Sequence, residues 1–183
     1  MVRDSDLREQ LKTVHAYAVT PFSADDVLKV DEEGFAANLE FLVAAGVRVI
    51  NVGGGTGEID ALTNPELEQI TRIALATLGE RALVTPTLPG NSGAAVEMAL
   101  RYQEMGVRVC LAMAPYQRHG IPDDAEGIID HLSLIGERVP GLRLLPYNTQ
   151  GWSADFFERL GDVGAVIGVK DPCFNDHPLF QAI

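Results

Sequence analysis

The chain has 183 residues, 46% of them hydrophobic and 22% charged, a composition that excludes a disordered or fibrous protein and suits one domain, residues 1–183, with a sizeable core. Fourteen Lys and Arg against 26 Asp and Glu leave a formal net charge of -12, which opposes the phosphate-tracking surface that nucleic-acid binding needs. No apolar run approaches the roughly 20 residues of a bilayer span, and the first residues lack the apolar centre of a secretory signal, so a cytoplasmic protein without membrane contact is expected.

In chain order, the first predicted strand covers residues 14–20 and is stopped by Pro21. A helix follows with Asp31 as N-cap and the stripe Phe35, Leu39, Leu42 and Val43, ending at Gly46 in the C′ position. The second strand is 47–52. Thr63-Asn64-Pro65-Glu66 then has the spacing of a capping box, with proline in the first turn, and opens a helix carrying Leu67, Ile70, Ile73 and Ala74.

A third strand at 82–87 leads to a helix from Asn91 or Ser92 through Val96, Ala99, Leu100 and Tyr102 to Gly106. The fourth strand, 107–113, precedes a helix from Asp123 or Asp124 through Ile128, Ile129, Leu132 and Ile135. Strand 142–147 is followed by a weaker helix after Ser153, and 165–169 is the sixth strand.

Strands that are apolar almost throughout, alternating with amphipathic helices, are those of a parallel sheet covered on both faces. The class is therefore parallel α/β, and periodicity alone does not separate a doubly wound sheet from an eight-stranded barrel. Cys110 and Cys173 are the only cysteines, too few for a disulfide framework or a zinc site. His15, His119, His131 and His177 lack the spacing of metal ligands, so no metal is expected.

Parallel α/β folds carry their chemistry just beyond the carboxyl ends of strands. There the chain places Thr20-Pro21-Phe22, the run from Gly53 to Glu58, Pro115-Tyr116, Tyr147-Asn148 and Lys170-Asp171. The glycine run fails the dinucleotide fingerprint, which would need glycine at Glu58. It also fails the P-loop, which needs a lysine and a hydroxyl residue after Gly57. It is either a plain strand-exit turn or a set of backbone N–H groups beside the Thr56 hydroxyl suited to a small carboxylate.

Lys170 closes an apolar strand, where a lysine is ordinarily a solvated end residue. Burial there would instead supply a neutral amine able to attack a carbonyl, with the Tyr147 phenol nearby to move protons. Arg118 and His119 belong to a loop that either is solvated or adds positive charge, and Trp152 either walls a pocket or begins the packing of the next helix.

Taken in order, Thr20-Pro21-Phe22, Gly54-Gly55-Thr56-Gly57-Glu58, Pro115-Tyr116, Tyr147-Asn148 and Gly168-Val169-Lys170 resemble the dihydrodipicolinate synthase/N-acetylneuraminate lyase family. The resemblance implies a parallel (β/α)8 TIM-barrel fold, of which this chain holds about six βα units. It also implies a lyase that forms a lysine Schiff base with a pyruvate-like 2-keto acid, with no cofactor. Lys170 would form the imine and Tyr147 relay protons. Thr56, with the Gly55 and Thr56 backbone, would hold the carboxylate. Tyr116 and Thr20 match further site positions, and Asn148 and Glu58 supporting ones.

The chain departs from the family at three places. Gly55 stands where many members have a second hydroxyl, Gln117 where the synthase has a second tyrosine, and Trp152 where it has an arginine. Gly-Gly-Thr-Gly-Glu with Gly-Val-Lys-Asp looks more like the 5-dehydro-4-deoxyglucarate dehydratase branch. The resemblance also implies a homo-oligomer, a tetramer built from dimers. A (β/α)8 enzyme takes about 250 residues, so a C-terminally truncated barrel is expected, and the rival expectation is a non-catalytic family member with a structural or binding role.

Overall fold

A computed structural model describes the chain over residues 4–115 and 126–172. Its elements run α1 (Asp4–Leu11), β1 (His15–Tyr17), α2 (Glu32–Ala44), β2 (Val49–Val52), α3 (Asn64–Leu78), β3 (Leu83–Leu88), α4 (Ser92–Glu104), β4 (Val109–Met113), α5 (Glu126–Arg138), β5 (Arg143–Tyr147) and α6 (Ala154–Leu160). The chain forms two compact units, one of residues 1–87 with 104–107 and the other of residues 88–103 with 108 onward. Among the described residues no helix is long and apolar enough to cross a membrane.

In the first unit β1, β2 and β3 pair in chain order and in parallel, with Tyr17 opposite Asn51 and Asn51 opposite Thr85. All four residues of β2 are buried, as a sheet covered on both faces requires. The Asp31 carboxylate accepts from the Gly34 N–H at 3.0 Å and starts α2, while Gly46 leaves the helix at φ 93°. Phe35, Leu39 and Val43 are the buried side of α2. Thr63 and Glu66 close both halves of the capping box on α3, which buries Leu67, Ile70 and Ala74. Leu67 and Ile70 each contribute about 1.5–3 kcal/mol relative to exposure, so the apolar stripe outweighs the cap in stabilising the helix.

In the second unit β4 and β5 are parallel, from Val109 opposite Arg143 to Met113 opposite Tyr147. The Asn91 side chain accepts from Ala94 N–H at 3.0 Å and opens α4, which buries Met98, Ala99 and Tyr102. The helix α5 buries Ile128, Leu132 and Ile135; its expected start at Asp123 or Asp124 lies outside the described residues. Ser153 caps α6, which buries Phe156, Phe157 and Leu160.

The sixth apolar run is paired with β5 but is not one continuous strand. Two parallel bridges hold it, Leu144 with Val166 and Tyr147 with Lys170, and between them the register slips by one residue. Ile167 N–H donates to Leu144 O at 3.1 Å, and the next amide to reach β5 is that of Lys170, donating to Pro146 O at 2.9 Å. Pro146 has no N–H to return, so the ladder lacks a bond at that place and the facing chain bulges across Gly168 and Val169.

Candidate functional site

At the end of β2 the chain turns through Gly53 (φ 63°) and reaches Glu58, which is itself left-handed at φ 62° and ψ 46°. Gly54 O accepts from Ile59 N–H at 3.1 Å and Gly55 O from Glu58 N–H at 3.2 Å. These bonds tighten the turn and leave Gly55 and Thr56 exposed at its tip. Neither of their amides has an acceptor among the described residues. Thr20 is buried after β1, and its hydroxyl donates to Gly57 O at 2.8 Å. A Cβ on Gly57 would stand 2.9 Å from Ala18 O, so the glycine is what lets the turn lie against the chain leaving β1. The turn thus has exposed donors over a fixed base, an arrangement suited to a small anion.

In the second unit the bulge aligns Lys170 with Tyr147 in place of Val169. The Lys170 amine stands over the Tyr147 ring, 3.9 Å from its centroid. Partial burial pushes the amine below the ordinary lysine range by disfavouring the ammonium form. Gly168 permits the close packing behind this pair, since a Cβ there would lie 3.0 Å from Leu145 Cδ2.

Asn148 ties the next loop to the lysine. Its N–H donates to Lys170 O at 2.9 Å and its Nδ2 to Asp171 Oδ1 at 3.0 Å. Its Oδ1 accepts from the backbone N–H groups of Gln150, Gly151 and Trp152 at 2.9–3.2 Å.

The structure therefore brings Lys170 and Tyr147 together, and separately gathers Thr20, Gly55 and Thr56 around one turn. Tyr116 lies outside the described residues, with Gln117, Arg118 and His119. Trp152 takes the packing role, with its ring centroid 4.9 Å from Phe156 and 6.0 Å from Phe157. Among the described residues no group of three or more His, Cys, Asp or Glu is placed to hold a metal ion.

Asn51 of β2 and Thr85 and Thr87 of β3 are buried polar residues that strand periodicity does not single out. The available signal was a polar residue inside each apolar run. Ser92 at the start of α4 and His131 on α5 come together with Oγ and Nδ1 2.8 Å apart, a pairing that neither residue's own segment announces.

The family model described as the dihydrodipicolinate synthetase family matches residues 10–177. A probable 5-dehydro-4-deoxyglucarate dehydratase of Bacillus licheniformis is 28% identical over 169 residues, 91% of this chain and 53% of that protein. A 4-hydroxy-tetrahydrodipicolinate synthase of Desulfotalea psychrophila is 28% identical over 174 residues, 90% of this chain and 55% of that protein. The crystal structure of dihydrodipicolinate synthase from Oceanobacillus iheyensis matches 98% of this chain and 59% of its own, with TM-score 0.88 at 22% identity. That likeness shows the fold, α/β of the parallel TIM-barrel type. The chain spans about half the length of the curated relatives it matches.

Proposed function

The chain belongs to the dihydrodipicolinate synthetase family, and from that premise we propose that it is a lyase or dehydratase working on a 2-keto acid through an imine on Lys170. The observation that carries this reading is the Lys170 amine over the Tyr147 ring, with its pKa lowered by burial. A neutral amine adds through its lone pair to the keto carbon. The carbinolamine so formed loses its hydroxyl as water, taking up a proton in a role assigned to Tyr147 on the resemblance, and leaves a protonated imine. The imine then accepts the electron pair released when a proton or a carbon substituent leaves the neighbouring carbon.

Carbon–carbon cleavage, its aldol reverse and loss of water all pass through that intermediate, so the lysine and tyrosine define the chemistry and leave the substrate to the rest of the site. The turn at Gly55 and Thr56 is assigned to the substrate carboxylate, with Thr20 supporting it through Gly57 O. Tyr116 is assigned to substrate binding on the resemblance alone. The relatives' names include both a dehydratase and a synthase, and the resemblance carried by Gly-Gly-Thr-Gly-Glu with Gly-Val-Lys-Asp favours the dehydratase side. A homo-oligomer is part of the same proposal.

Incubation with pyruvate or a longer 2-keto acid, reduction with borohydride and peptide mass mapping tests this. The expected result is an adduct on Lys170 that is absent from Lys170→Ala. No adduct with any keto acid would sink the imine reading and leave a non-catalytic, binding role for the chain.

A further inference from the structure

Beneath the turn that follows β2 sits a buried polar group that the imine chemistry does not use. Asn51 on β2 is 2% exposed and Thr87 on β3 is fully buried. The Asn51 amide donates to the Thr85 carbonyl and, at 3.2 Å, to Thr87 Oγ1. Thr87 Oγ1 in turn lies 3.1 Å from Val52 O and 3.4 Å from Asn51 Oδ1, both within hydrogen-bond reach of its hydroxyl. Apolar residues of the same shape would fill this space without any bonds to satisfy, so packing alone does not account for the pair.

Its position does. A Cβ on Gly54 would stand 2.3 Å from Asn51 Oδ1 and 3.5 Å from Thr87 Oγ1, so the Asn51 amide occupies the side-chain space of residue 54. Val52 O, two residues before Gly54, is within hydrogen-bond reach of the Thr87 hydroxyl. The turn is therefore supported on its core side by two side chains, and the exposed tip at Gly55 and Thr56 begins one residue beyond the contact.

We propose that Asn51 and Thr87 are positioning residues that set the affinity of this turn for the carboxylate of the keto acid. The inference rests on the reading in which Gly55 and Thr56 hold that carboxylate. Neither Asn51 nor Thr87 touches the substrate; they act through the backbone at Gly54. Weakening them disorders the carboxylate donors and leaves the Lys170 amine and the Tyr147 ring as they are. The effect falls on the keto-acid concentration needed for half-saturation, while the limiting rate of imine formation stays.

The test is borohydride trapping on Lys170 across a range of pyruvate concentrations. Thr87→Val keeps the shape and removes the hydroxyl, and is expected to raise half-saturation about tenfold with the limiting rate nearly unchanged. Thr87→Ser keeps the hydroxyl and restores it. Gly54→Ala also raises half-saturation, because its Cβ meets the Asn51 amide. The double variant Gly54→Ala with Asn51→Ala is closer to the unaltered chain than the product of the two single effects, since one methyl takes the space the other side chain vacates.

Circular dichroism and a urea midpoint establish folding, and if Thr87→Val does not fold, the Gly54 and Asn51 cycle decides. The inference is overturned if Thr87→Val leaves half-saturation unchanged while the unaltered chain forms the adduct, or if the Gly54 and Asn51 effects multiply independently. No adduct in the unaltered chain overturns the imine reading and this inference with it.

Discussion

Glu58 is the only described residue other than glycine held at positive φ, where an L side chain crowds its own carbonyl at a cost of about 1–2 kcal/mol. Glu58→Gly is expected to stabilise the chain by about 0.5–1 kcal/mol, glycine's greater unfolded-state freedom offsetting part of the relief. A higher urea midpoint at unchanged slope is the measurement.

The Lys170 amine gives a second prediction at this scale. Only the neutral amine adds to the keto carbon, and burial lowers its pKa. The trapping rate must therefore rise with pH, and its ascending limb must lie below that of an exposed lysine, near about pH 10.4. A limb at the ordinary lysine position would mean that burial does not tune the nucleophile. Lys170 and Tyr147 are legible in the sequence because a titratable residue ending an apolar run is conspicuous. Asn51 and Thr87 are not, because one asparagine or threonine within a strand looks like ordinary surface alternation until pairing buries it.

The elements that sequence predicts best are those whose ends carry their own chemistry. Asp31, Thr63 and Ser153 each accept from a backbone N–H three residues on, a local interaction that needs no partner from elsewhere. The sixth run is different. Gly168 within it permits a bulge, and the bond missing from the ladder is that of Pro146 on the neighbouring strand, which the run's own sequence does not contain.

Between α4 and α5, His131 is buried with Nδ1 2.8 Å from Ser92 Oγ, and burial pushes its imidazole below the ordinary histidine range. The unfolded chain binds that proton at about pH 6.5 while the folded one does not. Stability is therefore whole above about pH 6.5 and falls as pH drops from there through the lowered value. Urea midpoints measured from about pH 7.5 to about pH 5.5 should decline, and His131→Gln should remove part of that slope. An equal slope in the variant would assign the decline to other groups.

Across the whole molecule the net charge of -12 opposes any anionic substrate at a distance. Raising ionic strength from about 0.01 to about 0.15 M shortens the screening length from about 30 to about 8 Å. The half-saturating pyruvate concentration in the trapping assay is expected to fall about twofold across that range. A rise would show instead that nearby cations dominate the approach of the carboxylate.

What the sequence determined by itself was the parallel α/β class, the starts of α2, α3, α4 and α6 and the residues at the strand ends. Each is written in the chain locally, as periodicity, capping chemistry or the polar residue that ends an apolar run. What only the tertiary structure decided was register and support. The bulge that pairs Lys170 with Tyr147 depends on a proline one strand away. The space at Gly54 is filled by an amide from β2 and braced by a hydroxyl from β3. These arrangements exist only where separate strands meet, and no single segment of sequence carries the distance between two strands.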